Sequence, residues 1–267
     1  MKQGNKKLGS EGYTSRLQKG GALLADMRLL VRSWHDGGRA GQKDRVLVEN
    51  VLGKKTRARA ADVYEEIFVP RFIRGNPPEA WKIIRPLEDR EAPFEILRPL
   101  YYWITARSDA LLFDFVVDEI LPRSRGPDLS VRLGEAENWI RKRLSQQGRS
   151  WSQSVTVRVA QGLLAALRDF GILEGATKKR IAPVYLPVES LAYLAYCLYE
   201  LGSSGAKLVR HRDWKLFLME PPLVERLFLN AHQNRLLHYE AAGKIYRIEF
   251  LAENLEEMAD VIAGRRN

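Results

Sequence analysis

The sequence predicts a mainly α-helical fold with short β-hairpins, assembled from helix-turn-helix and winged-helix-like units. Three observations lead there. Apolar residues recur at helical spacing along most of the 267 residues. Short alternating apolar runs appear only late in the chain. Proline and glycine breaks cut the helical pattern into short pieces. With 45% hydrophobic and 28% charged residues, the chain has the composition of an ordinary globular protein rather than a disordered or fibrous one.

Taken in order, Leu23, Met27, Leu30, Val31 and Trp34 line one helical face, and Gly37, Gly38 and Gly41 predict a loop after it. Asp44–Leu52 reads as a short helix. Thr56 is placed to cap a longer one, in which Ala60, Val63, Tyr64, Ile67 and Phe68 share a face. Asn76-Pro77-Pro78 breaks the chain. Three helices are expected next, around Trp81–Ile84, Phe94–Ile104 and Leu111–Ile120, punctuated by Pro86, Pro93 and Pro122. The Pro/Gly-rich run from Ser124 to Ser130 reads as a linker.

Beyond it, Leu133, Ala136, Ile140 and Leu144 predict one helix. Val155, Val159, Leu163, Leu167 and Phe170 predict another, stopped by Gly171. Gly162 inside that helix costs about 1 kcal/mol relative to alanine, which points to a close crossing. Ile172-Leu173 and Ile181–Leu186 then flank a turn ending in Lys178, Lys179 and Arg180. Helix, turn, helix and a basic-tipped hairpin form the outline of a winged helix. The tail predicts helices over Leu191–Leu201 and Leu223–Ala231, a hairpin of Leu237 and Tyr239 facing Tyr246, Ile248 and Phe250, and a last helix at Leu255–Ile262. These breaks define an N-terminal helix-turn-helix-like domain (1–75), a helical middle segment (76–123) and a C-terminal winged-helix-like domain (124–267).

Charge is unevenly placed. The overall balance is +10; residues 1–60 carry +9, residues 61–120 carry −5, residues 121–182 carry +7 and the remainder −1. Two basic blocks suit a polyanion, because each neutralised phosphate releases counterions; solubility through net charge is the plainer explanation. Cys197 is the single cysteine, which excludes a disulfide framework and a cysteine-rich zinc site. Met1–Ser10 is basic and polar with no hydrophobic stretch behind it, so no secretory leader is expected. The most apolar stretch, Leu186–Leu201, is too short to span a bilayer and contains Glu189 and Glu200. A cytoplasmic location follows as the expectation.

The candidate DNA-binding residues fall in two groups. Lys54, Lys55, Arg57 and Arg59 cluster at a helix start, where the macrodipole disfavours cations and an anionic ligand would compensate them. A solvated corner of a bundle is the competing explanation. The second group is Gln153, Thr156 and Arg158 on the expected outer face of the Ser152–Phe170 helix, with Gln161 beside them. Arg149 in the preceding turn and Lys178, Lys179 and Arg180 at the wing complete it. A winged helix can equally dock another protein. Tyr193, Tyr196 and Tyr199, like Trp139, Trp151 and Trp214, read as packing residues.

Enzyme signatures are absent. Gly53-Lys54-Lys55-Thr56 lacks the rest of a phosphate-binding loop, and His35, His211, His232 and His238 have no metal-ligand spacing. Asp128, Glu135 and Glu137 resemble part of a nuclease carboxylate set, but no sheet is expected there to carry it. Asp114, Asp118 and Glu119 read as the solvated face of a helix. No catalytic residue, metal or cofactor is expected.

Several runs together resemble a known family: Tyr13 with Gly20-Gly21-Ala22-Leu23-Leu24, Glu49–Thr56, Leu163–Leu173, Lys179–Pro183 and His211–Phe217. The chain is similar, over nearly its whole length, to the BrxA family, small helical components of the bacterial BREX phage-resistance systems. The resemblance implies a cytoplasmic, non-enzymatic accessory protein that binds DNA beside the system's methyltransferase and ATPase. Members have also been likened to an RNA-binding antitermination factor, and some labelled inner-membrane proteins; the absence of a spanning segment here speaks against the second. The expected function is binding of double-stranded DNA, mainly through phosphates. RNA binding, a pure docking scaffold and an undetected nuclease are the alternatives.

Overall fold

The computed structural model describes residues 12–34, 38–243 and 245–264. Met1–Ser10, His35 and Gly37 lie outside them. The fold is mainly helical with two small antiparallel sheets. No helix among the described residues is long and apolar enough to cross a membrane.

The chain enters as an extended strap, Tyr13–Leu23, broken by one 3-10 turn at Arg16–Gln18. α1 (Leu24–Arg32) buries Met27, Leu30 and Val31, as its pattern predicts. The expected loop at Gly38 and Gly41 is instead the start of α2 (Gly38–Leu47), and the helix expected to run to Leu52 ends at Leu47. Burial of Gln42 and Val46 outweighs the poor helix propensity of the glycines. α3 (Arg57–Ala61) begins at Thr56, whose hydroxyl accepts from the Arg59 amide at 3.2 Å. It runs on as a wider π-type helix, Asp62–Ile73, around Pro70. Proline has no amide hydrogen to donate, and a change of helical register accommodates the missing bond.

α4 (Trp81–Asp89), α5 (Phe94–Ser108) and α6 (Ala110–Phe115) follow, the last continuing through a π-type turn at Val116–Ile120 into α7 (Leu121–Arg123). Asp109 caps α6 through its carboxylate. Pro93 caps α5, but Pro86 lies inside α4 rather than between helices.

The next stretch is β1 (Ser130–Val131), α8 (Leu133–Gln146), α9 (Gln153–Asp169), β2 (Leu173–Glu174) and β3 (Lys179–Ile181). The sheet order is β1-β3-β2, antiparallel throughout, with Ser130 opposite Arg180 and Leu173 opposite Ile181. β1 was not expected. Two residues are too short for an alternation pattern, and only the partner strand β3 makes them a strand. Ser152 caps α9, and Gly171 ends it at φ +82°, a conformation side chains disfavour.

α10 (Val188–Glu200) buries Tyr193 and Tyr196, while Tyr199 is half-exposed against Phe250. α11 (Gly205–Val209), a 3-10 turn at Arg212–Phe217 and α12 (Pro221–Gln233) precede the hairpin β4 (Leu237–Ala242) and β5 (Ile245–Phe250). The hairpin register pairs Leu237 with Phe250 and Tyr239 with Ile248, as expected. α13 (Leu255–Ala263) closes the fold.

One hydrophobic core runs through all these pieces, centred on Trp103, Tyr101, Tyr102, Phe113, Phe115 and Trp214. Two buried carboxylates tie it together. Glu88 of α4 accepts from Arg28 and Arg32 of α1 and from the Tyr101 hydroxyl of α5. Burial would raise its pKa; those donors outweigh burial and hold it below the usual carboxylate range. Asp213 accepts from the Trp103 indole at 2.7 Å and from Arg107 at 2.6 Å. That carboxylate, read from the sequence with His211 as a surface or packing residue, packs: it is a structural anchor 1% exposed. His211 itself titrates below its ordinary value, because burial disfavours its charged form.

Candidate nucleic-acid interface

α9 is amphipathic. Its inner face buries Val159, Ala160, Leu163, Leu164 and Leu167. Its outer face exposes Ser154, Arg158, Gln161 and Arg168, spaced as one helical stripe. Arg158 makes no ion pair or side-chain hydrogen bond among the described residues. Gln153 is exposed, but Arg141 donates to its side-chain oxygen at 2.6 Å. Thr156 corrects the sequence reading: it is 1% exposed, and its hydroxyl donates to the Ser152 carbonyl at 3.0 Å. A threonine one turn into a helix satisfies itself on the backbone behind it, so this side chain turns inward.

The turn between α8 and α9 carries exposed Arg149. At the β2–β3 hairpin Lys178 is exposed and without a partner among the described residues, Lys179 donates to the Ala176 carbonyl at 2.8 Å, and Arg180 pairs with Glu174 at 3.1 Å across the strands. The tip therefore presents one free cation and two that are loosely held at the surface.

At the start of α3, Lys55 and Arg57 are exposed and unpaired among the described residues. Lys54 is held: its ammonium lies 2.7 Å from Asp26 of α1, and its amide bonds the Asn50 side chain. Arg59 is also engaged, donating to the Lys19 carbonyl at 2.6 Å. Lys19 in turn pairs with Asp62 at 3.1 Å. Only two of the four cations are thus free for a ligand.

The strap links the two groups. Tyr13 stacks on Trp139 of α8 and donates to Asp114 at 2.9 Å. Asp114 is therefore half-buried rather than solvated, and burial raises its pKa. Leu17 crosses α9 at Gly162, where a side-chain carbon would overlap the Leu17 carbonyl. The close approach expected at Gly162 is real, though its partner is the strap and not another helix. Gly21 packs on Ala166, and Arg71 donates to the Gly21 carbonyl at 2.9 Å. Arg71 is fully buried, and burial pushes its pKa down to about 10.

The carboxylates compared above with a nuclease set do lie next to a strand, β1, contrary to expectation. Each has other work. Asp128 accepts from the Ser130 amide, Glu135 from Arg123 and the Arg132 amide, and Glu137 from Arg141. No three metal-ligating side chains converge among the described residues.

Residues 11–196 match the family model described as BrxA. The match stops short of the His211–Phe217 run. No curated protein matches the chain. Among solved structures, an uncharacterized protein from Magnetospirillum magneticum is similar, at 14% identity and a TM-score of 0.57 over 77% of this chain and 97% of that one. At that identity the likeness speaks to fold alone. The family match covers well over half of the sequence, and the chain belongs to the BrxA family.

Proposed function

We propose that this protein binds double-stranded DNA, largely through phosphates, as a non-enzymatic cytoplasmic component of a BREX phage-defence assembly. Family membership supports the BREX association. One observation supports the DNA reading: strand, helix, helix, strand, strand with the order β1-β3-β2 is the connectivity that a winged helix would have. In such a unit α9 is the second helix of the helix-turn-helix, the element that enters the major groove. Its outer stripe holds Arg158 and Gln161, which suit phosphate and base edges, and the wing adds Lys178.

Fluorescence anisotropy with a labelled duplex tests this. Binding should weaken steeply with salt, and Arg158→Gln should lower the salt slope by about 0.9, one phosphate's share. Competition with structured RNA at fixed salt separates the two nucleic acids. A wild-type chain indifferent to duplex DNA at low salt sinks the proposal.

A second reading concerns the C-terminal unit. Seven large apolar residues between positions 185 and 251 are exposed: Tyr185, Tyr199, Leu201, Leu223, Leu229, Ile245 and Leu251. Exposed apolar side chains of this kind are what docking on another subunit of the assembly would use, with the methyltransferase and the ATPase as candidates. Leu223→Ser with Leu229→Ser should then abolish co-purification at high salt while leaving duplex affinity intact.

A further inference from the structure

We infer that the cations at the start of α3 and those of α9 grip one and the same duplex, with the strap as the joint between them. This rests on the DNA-binding reading above. In sequence the two basic blocks stand apart, separated by the acidic segment 61–120. The fold removes that separation.

Gly162 lies four residues from Arg158, on the same side of α9. The strap that crosses at Gly162 therefore rises beside the exposed stripe rather than behind the helix. Two residues further along the strap, Lys19 offers its carbonyl to Arg59 and its ammonium to Asp62. The route from Arg158 to the Lys19 carbonyl is thus one turn of α9, about 6 Å, and two residues of strap, about 7 Å, and the Arg59 side chain completes it to α3. Both fit within one turn of duplex, about 34 Å.

Most of the acids near these cations are already engaged. Asp62 holds Lys19, Asp26 holds Lys54, and Glu65 holds Arg39 and Lys43. Lys55 and Arg57 at one end and Arg158 at the other remain unpaired among the described residues, and they outnumber Glu66, the unpaired exposed acid one turn beyond Asp62. A rod of phosphates with one charge per about 1.7 Å is the ligand class that reaches all three at once.

The test uses the full chain and a labelled 20-bp duplex. Stoichiometry is read by sedimentation, and affinity by anisotropy across a salt series. The wild type should bind one duplex per chain. Lys55→Gln with Arg57→Gln should weaken that same complex at least tenfold at low salt and reduce the salt slope by about 1.8, two phosphates' worth. Both side chains are exposed, so the fold is expected to survive, and a circular-dichroism melt verifies it. Two duplexes per chain would overturn the inference. So would wild-type affinity and slope in this double variant while Arg158→Gln still weakens binding, an outcome that leaves the DNA-binding reading standing. Loss of that reading shows differently, as a wild type that does not bind.

Discussion

Leu17 and Gly162 meet backbone to backbone, with no room between them for a single side-chain carbon. Alanine is about 1 kcal/mol better than glycine in a helix interior. A Gly162→Ala change would therefore stabilise α9 if nothing lay above it. Here the strap must move, and overpacking of this kind costs about 1–3 kcal/mol. The variant should melt several degrees below the wild type, and its Tyr13–Trp139 stack should loosen, seen as a change in tryptophan fluorescence. An unchanged or raised Tm would show that the strap is not seated on α9.

Glu88 should dominate the acid limb of stability. Its side chain is fully buried, yet hydrogen bonds from Arg28, Arg32 and Tyr101 keep its folded pKa below its ordinary value of 4.5. A carboxylate of that kind contributes stability in full above its unfolded pKa and loses it as pH falls through the folded one. Wild-type Tm should therefore drop below about pH 4.5. Glu88→Gln should cost about 2 kcal/mol near neutral pH, because charge-assisted bonds become neutral ones. The gap between variant and wild type should close as pH falls. Parallel melting curves at pH 7 and pH 3 would contradict this account.

Much of this arrangement was legible in the sequence because it rests on local rules. The cap at Thr56, the stop at Gly171, the register of Leu237 with Phe250 and the core faces of α8 and α9 follow from spacing and residue type. What escaped depends on contacts between distant residues. β1 is a strand only because β3 lies beside it. Asp213 reads as either a surface or a packing residue, and only Trp103 and Arg107, more than a hundred residues away, decide between them. The candidate interface suffered in the same way: nothing near Lys54 announces Asp26, and nothing near Arg59 announces the Lys19 carbonyl. Thr156 is the exception, a local miss, since a hydroxyl in the first turn of a helix has the carbonyl four residues back within reach.

The burial of Thr156 separates two explanations of DNA affinity on α9. If the helix contributes through its exposed stripe, Thr156→Val removes only an internal bond to Ser152. Replacing a satisfied buried hydroxyl by a methyl of the same shape is close to neutral, within about 1 kcal/mol of stability. Duplex affinity should stay at the wild-type value while Arg158→Gln reduces it. Loss of binding in Thr156→Val at unchanged Tm would mean that the helix turns or the duplex approaches from its other side.

The Lys54–Asp26 pair offers a gain rather than a loss. The ammonium is 2.7 Å from the carboxylate and both are only partly exposed, so the lysine is spent on α1 and unavailable to a phosphate. Asp26→Asn releases it without changing shape. The protein gains one net positive charge beside Lys55 and Arg57, and a freed cation there adds one phosphate contact. Duplex binding should tighten, and the salt slope should steepen by about 0.9. The contact between α1 and the α3 start should weaken by no more than a partly exposed ion pair is worth, about 1 kcal/mol or less. Lys54→Ala, by contrast, should weaken binding, because it leaves the Asp26 carboxylate unpaired beside Lys55 and Arg57. If Asp26→Asn bound no more tightly than the wild type at any salt concentration, the start of α3 would not be part of the DNA-binding surface.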